Sequence, residues 1–412
     1  MNRLTESLKV LGPGLALAAT GIGAGDMVAA SVAGARYGEV ILWAALYGAL
    51  LKWALTEGVA RWQLATGQTL LEGWFRRLGT WAAAYFAVYL VIWSFIVAGA
   101  LMAACGLAAA ALFGGLSVAA WGALHAVAAL ALVTWGGYRF FEGTMKVFIA
   151  ALFVVIIYGA FASGPDWTAL LPNLVWPRVP EGSAPLILAV MGGVGGSVTM
   201  LSYGYWIREK GWRDRRHLRA VRIDLGAAYL LTGLFGVAMM IIAAGVSPED
   251  ASGPALVLEV ARRLEEVAGP WGRWSLLVGF WAAVFSSMIG VWQGVPYLFA
   301  DGLAIWRGRH VDQPAQPVST RSWPYRGYLL YLAFPPMLLL LLDRPVMIIV
   351  AYAVLGALFM PFLAGTLLIM NRRKEWVGEL VSGGITTALL WTSLGLFVYL
   401  AGVEISRQFG VG

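Results

Sequence analysis

Cysteine is almost absent from this sequence, and histidine and charge are scarce. The one cysteine, Cys105, lies inside an apolar run, so neither a disulfide framework nor a thiolate metal cluster forms within one chain. Three histidines are too few for a multi-histidine zinc site. Charged residues make up only 12% of the 412 residues, about half the share of an ordinary soluble domain. That scarcity excludes a soluble globular enzyme and a disordered chain. The 29 Lys and Arg against 22 Asp and Glu are no nucleic-acid footprint, because the basic residues sit between apolar runs instead of forming a patch on a soluble face. No nucleophile, triad or phosphate loop supports an enzyme. The glycine run at 192–196 follows an apolar span and is not a Walker motif.

What is present is apolar length. Sixty per cent of residues are hydrophobic, the mean hydropathy is +0.75, and the runs are long enough to need a bilayer as solvent. A window of about 19 residues marks eleven segments, at 11–36, 39–62, 80–113, 117–134, 142–163, 184–208, 219–246, 272–305, 326–342, 345–371 and 379–402. The fold class this predicts is an all-α membrane protein, a single transmembrane domain over 1–412. The first run has no Ala-x-Ala cleavage context and is too long for a signal-peptide core, so it reads as a retained span. With the N-terminus inside, basic residues favour the inner loops by about three to one. This predicts an inner or plasma membrane location, with a cytoplasmic N-terminus and an external C-terminus. Segment 247–271 mixes Leu256, Leu258, Val260, Leu264 and Val267 with Glu259, Arg262, Arg263, Glu265 and Glu266, and reads as an amphipathic helix on the outer face. The basic run 208–222 reads as a topology signal and a contact for anionic headgroups. The 20 Trp and 15 Tyr read mostly as interface belts and packing.

Two glycine clusters interrupt the apolar pattern. The first span contains Gly21, Gly23 and Gly25, followed by Asp26; the sixth contains Gly192, Gly193, Gly195 and Gly196, with Thr199 beyond. Each interior glycine costs a helix up to about 1 kcal/mol relative to alanine. Carbonyls and amides freed at that depth must line a polar cavity. A single cluster is more simply read as small residues for close helix packing. Two clusters five spans apart point instead to unwound helices, inverted repeats and a midplane site. Asp26 is costly at a helix centre, about 2.5–3.5 kcal/mol on insertion scales. It is either a cation ligand or a cap on the amides of the following half-helix. Lys52 and Glu57 on the second span stand roughly 140° apart around the helix and do not face each other. Glu57 reads as a partner of Arg61, four residues on. Lys52 either snorkels or places a fixed positive charge near the site. Ser286, Ser287 and Gln293 read as interhelical hydrogen bonds.

At these residues the sequence resembles the Nramp family of divalent metal transporters. Gly12-Pro13-Gly14 followed by Ala33-Gly34-Ala35-Arg36-Tyr37-Gly38 is similar to that family's first helix. Ala60-Arg61, Ala65-Thr66-Gly67 and Leu70-Leu71-Glu72 resemble the end of its second, Ser286-Ser287-Met288-Ile289-Gly290 its eighth, and Met360-Pro361-Phe362 its tenth. The resemblance implies a LeuT-like fold: two inverted five-helix repeats, roughly 11–163 and 184–371, and an extra helix at 379–402. It also implies a metal site, from which this chain departs. Aligned through Ala33-Gly34-Ala35, the family's Asp-Pro-Gly-Asn falls on Gly23-Ala24-Gly25-Asp26, so the liganding Asp becomes Gly23 and the liganding Asn becomes Asp26. The family's metal-binding Met and nearby His fall on Gly196 and Val198, and its tenth-helix Gln on Phe359. Liganding carbonyls map to Thr20 and Gly193.

A site of Asp26, those carbonyls and the Thr199 hydroxyl is built from oxygen alone. Oxygen donors favour Mg²⁺, Ca²⁺ and Mn²⁺ over softer metals, and glycines in place of Met leave room for an ion that keeps its water. The expectation is a secondary transporter for a hard divalent cation, Mg²⁺ or Mn²⁺, which is its substrate and not a cofactor. The third span has no acid and position 198 no histidine, so proton coupling of the family type is not expected. The competing expectation is a scaffold turned to an organic acid or amino acid, which Lys52 suits better. A sensor or assembly role ranks last. A monomer in the lipid bilayer is expected, with no nucleic-acid partner.

Overall fold

In lipid only helices and closed β-barrels leave no backbone group unpaired, continuous apolar runs without strand alternation select the helix, and the computed structural model is helical. It describes residues 11–193, 196–244, 246, 254–308, 318–342 and 345–408, among which there is no strand.

The first apolar run forms two helices, α1 (Pro13–Gly21) and α2 (Ala24–Tyr37), bent by 59° at Ile22–Gly23. Helix α3 (Trp43–Thr66) stops at Gly67, whose φ of 71° supplies the left-handed residue that ends many helices. Helix α4 (Thr80–Phe113) coincides with its hydrophobic run at both ends. Helix α5 (Val118–Ala162) covers 45 residues as two helical segments joined at a kink, and at about 1.5 Å per residue each segment is about as long as a bilayer core is thick. The separate helices expected at 117–134 and 142–163 are present as these two segments, which meet at the kink where a longer connection was expected. The kink is at Gly137, with φ 58° and ψ 172°, a conformation that glycine takes without a steric penalty.

The sixth run gives α6 (Ala184–Gly193) and α7 (Thr199–Glu209). Gly195 lies outside the described residues. Then follow α8 (Leu218–Ala243), α9 (Pro254–Ala268), α10 (Pro270–Trp306), α11 (Trp323–Ala333) continued by a 3₁₀ stretch at Pro335–Leu342, α12 (Pro345–Met370) and α13 (Gly384–Gln408). Helix α9 is amphipathic: Val260, Ala261 and Leu264 are buried, while Arg262, Arg263 and Glu266 are exposed and joined by ion pairs. It packs on α10 and α2.

Among the described residues, five helices are long and apolar enough to cross a bilayer, and the bent α1–α2 pair makes a sixth. That is fewer than the eleven runs. Helix α3 is long enough but carries Lys52, Glu57 and Arg61, and α6 is too short to cross alone. Helices α1 and α2 sit at the centre, with α8 and α10 against both. Helix α13 lies outside, on α12 and α3.

Candidate functional site

Each interruption leaves carbonyls that a continuous helix would have used. At the end of α1, two of them are taken up by α10. Ser286 Oγ donates to Ala19 O at 2.9 Å, and Ser287 Oγ donates to Thr20 O at 2.6 Å. These serines are the interhelical donors expected from the sequence. Gly290, one turn on, lets α10 come this close: a Cβ there would stand 1.9 Å from Thr20 Oγ1.

Asp26 sits at the third position of α2, where its Oδ2 accepts from Gly23 N at 3.2 Å. This bond reaches back to the residue that precedes α2 and not to the amides of the half-helix that follows. The other carboxylate oxygen faces the second interruption, since a Cβ on Gly193 would stand 2.8 Å from Asp26 Oδ1. The two breaks also touch at Gly196, where a Cβ would meet Gly21 Cα at 3.4 Å. Gly196 holds φ 76°, and its amide donates to Gly193 O at 3.3 Å. Thr199 Oγ1 is buried here and makes no hydrogen bond in the structure. Trp93 Nε1 donates to Ser197 Oγ at 3.1 Å and fixes the turn from the side of α4. Gly25 lies under the Tyr352 ring of α12, and Gly192 is the last residue but one of α6.

Lys52 is fully buried and does not snorkel. Its ammonium donates to Gly192 O at 2.6 Å and to Gly196 O, bridging the gap between α6 and α7. It also lies within Coulombic range of Asp26. The paired breaks thus hold one negative and one positive side chain, and the positive one uses the carbonyls that a bound cation would use. A cavity of about 10 Å³ adjoins Asp26, lined by Ile22, Ala30, Val190, Thr232, Phe235 and Gly236, which is room for about one water.

Glu57 is not part of the constellation. It is buried between Arg61, four residues on, and Arg222 of α8, whose Nε lies 2.9 Å from Glu57 Oε1. Arg61 continues to Leu380 O and Val381 O, tying α3 to the chain ahead of α13. Asp301 on α10 accepts from Thr69 Oγ1 and Tyr205 Oη, both at 2.7 Å. Phe359 stacks on Tyr89, with ring centroids 5.4 Å apart. No cluster of three or more His, Cys, Asp or Glu capable of holding a metal occurs among the described residues.

Asp224 escaped the sequence reading. From α8 it accepts from Gly12 N at 3.0 Å, from Gly14 N at 2.6 Å and from Tyr203 Oη at 2.9 Å, so it caps α1 from another helix. Beside it, Glu142 of α5 pairs with Lys210 and Lys146, each at 2.8 Å. The signal for Asp224 was the one used for Asp26, a lone acid in an apolar run.

The family model described as natural resistance-associated macrophage protein-like matches residues 14–406. The chain belongs to the Nramp family. Members of this family are transporters and not enzymes, and this Nramp chain is an integral membrane protein. It is 25% identical over 263 residues to the divalent metal cation transporter MntH of Mycobacterium tuberculosis, covering 58% of each chain. It is 26% identical over 253 residues to the MntH of Verminephrobacter eiseniae, covering 58% of this chain and 56% of that one. The chain thus spans little more than half the length of these curated relatives. The structure superposes on the manganese transporter of Eremococcus coleocola with a TM-score of 0.76 at 14% identity, covering 99% of this chain and 88% of that one. It also superposes on MhsT, solved in complex with L-phenylalanine, with a TM-score of 0.55 at 16% identity, covering 94% and 97%. At these identities the likeness concerns the fold, which is all-α with LeuT-like neighbours.

Proposed function

We propose that this Nramp chain is a secondary transporter that moves a divalent cation by alternating access at the contact between the two interrupted helices. The observation that carries the reading is the convergence of Asp26, Gly193 and the Gly192 and Gly196 carbonyls where α2 meets the gap between α6 and α7. The Gly193 carbonyl, the second lone pair of the Thr20 carbonyl that already accepts from Ser287, and the unpartnered Thr199 hydroxyl complete an oxygen-only donor set around one carboxylate, with Gly21, Gly23, Gly25, Gly192 and Gly196 as the links between half-helices. Such a set favours Mg²⁺ or Mn²⁺ over Fe²⁺ or Zn²⁺. The relatives' names support divalent cations as the solute class. Lys52 is the resident cation of the break, and an entering ion displaces it from the two carbonyls. The membrane potential supplies the drive, about 4.6 kcal/mol per 100 mV for a divalent ion. In this reading the chain spans the membrane eleven times with its N-terminus inside, as inverted repeats 11–163 and 184–371 plus a final helix. Broken spans and short half-helices account for the segments that are too short to cross alone.

The test is Mn²⁺ or Mg²⁺ flux into proteoliposomes. Asp26→Ala abolishes flux while the purified variant keeps its helical spectrum and elution volume; a folded variant with undiminished flux refutes the reading. Lys52 favours one second reading, a solute bearing a carboxylate, for which the ammonium and the amide ends of α2 and α7 are suited. Thermal stabilisation by small organic acids or amino acids, with none from Mg²⁺ or Mn²⁺, decides for that second reading.

A further inference from the structure

A groove of about 360 Å³ runs between α4 and α10, away from the interrupted helices. Phe75, Ala87, Val91, Leu298, Gly302 and Trp306 are among its walls, and every residue lining it is apolar or glycine. Its depth comes from small residues: Ala83, Ala84 and Ala87 on α4 face Gly302 on α10, where an added Cβ would still find Leu71 no nearer than 3.6 Å. The groove opens onto the outer surface of the bundle, where Val88 and Trp306 are more than half exposed. On α4 it extends from Ala83 to Val91 and on α10 from Leu298 to Trp306. Each stretch rises about 12 Å, close to half of a hydrocarbon core about 30 Å thick. That is the reach of one acyl chain in one leaflet.

The two walls run antiparallel and finish at the same end with positive charge. Phe75 is followed by Arg76 and Arg77, and Trp306 by Arg307. Arg77 is engaged over the Trp376 ring at 5.2 Å. Arg76 and Arg307 pair with no carboxylate among the described residues. An apolar slot of one-leaflet length whose end residues Phe75 and Trp306 are each followed by an arginine without a carboxylate partner among the described residues matches a lipid with a negative phosphate end. We propose that this groove is a binding site for one anionic phospholipid, its acyl chain lying between α4 and α10 and its phosphate held by Arg76 and Arg307.

The test uses the full chain purified in detergent and titrated with phosphatidylglycerol or with phosphatidylcholine of the same acyl chains, the bound lipid being counted by native mass spectrometry. Wild type retains one phosphatidylglycerol in preference to phosphatidylcholine. Replacing both arginines (Arg76→Gln with Arg307→Gln) lowers phosphatidylglycerol affinity about thirtyfold and leaves phosphatidylcholine unaffected. Ala87→Trp, or Gly302→Phe if the former does not fold, fills the slot and removes the bound lipid of either kind. Equal retention of both lipids by wild type, or undiminished phosphatidylglycerol binding in a folded groove-filling variant, overturns the proposal.

Discussion

Lys52→Met isolates the part of the site that departs most from a simple cation carrier. Methionine keeps the unbranched length of the lysine stem and its packing, and removes only the charge and the donors. In wild type the ammonium joins Gly192 O to Gly196 O and offsets Asp26. Removing one member of a buried charged set costs about 3–5 kcal/mol, because the remaining charge and acceptors stay buried without a partner. A divalent ion then has an open place between the same oxygens. At a free concentration a hundred times its Kd, binding returns about 2.7 kcal/mol. In wild type the same ion meets the ammonium. At about 4 Å and an effective dielectric constant near 20, a double and a single positive charge repel by ~8 kcal/mol, so the ion binds only by displacing it. The expected pattern in scanning fluorimetry is a lowered melting temperature for Lys52→Met, a large upward shift with Mn²⁺ or Mg²⁺, and a small shift for wild type. If the variant melts with wild type and its response to the ions is unchanged, Lys52 neither holds the break nor competes for it, and the reasoning fails.

Other outcomes follow from the same geometry. Asp224→Ala leaves two amides of the α1 entry and Tyr203 without their acceptor. At about 1–3 kcal/mol for each unsatisfied group, hydrogen exchange over 13–21 accelerates by at least tenfold, whereas Asp224→Asn, which keeps one acceptor, shows a smaller change. Gly290→Val places a Cβ 1.9 Å from Thr20 Oγ1; overpacking of this kind costs about 1–3 kcal/mol or more, and both melting temperature and flux fall, whereas Gly365→Ala on α12, with nothing within 4 Å of its Cβ, leaves both unchanged. Glu57→Gln weakens the Arg61 and Arg222 tie and lowers stability while the ion selectivity of the remaining flux is the same as in wild type. In the loop before α8, Arg216 holds Asp214 down to about 2. A carboxylate lowered on folding contributes above its ordinary range near 3.8 and loses that contribution as pH falls through about 2, so slow exchange of the Arg216 amide persists at pH 4.

Much of the helix pattern was legible because lipid imposes it locally. Helix α4 begins and ends with its hydrophobic run, since Gly79 and Gly114, at φ 93° and 64°, stop the chain on either side. The amphipathic stretch at 254–268 was legible for the same reason, its charges and apolar residues separating at helical spacing. The Glu57–Arg61 pair followed from a spacing of four. Less legible were events that depend on a second element. The kink at Gly137 replaced an expected loop because the chain on both sides remained good helix and one glycine sufficed to turn it.

Composition and hydropathy by themselves determined that this is a helical membrane protein with glycine-weakened first and sixth runs and a costly carboxylate at Asp26, because helix propensity and transfer from water are properties of each residue and its near neighbours. Only the tertiary structure decided that Lys52 bridges the Gly192 and Gly196 carbonyls, 140 and 144 residues away, and that Asp224 caps a helix more than 200 residues before it. A buried ammonium or carboxylate must find partners somewhere, but the ones it finds depend on which helices the packing brings alongside, and no spacing along the chain records that.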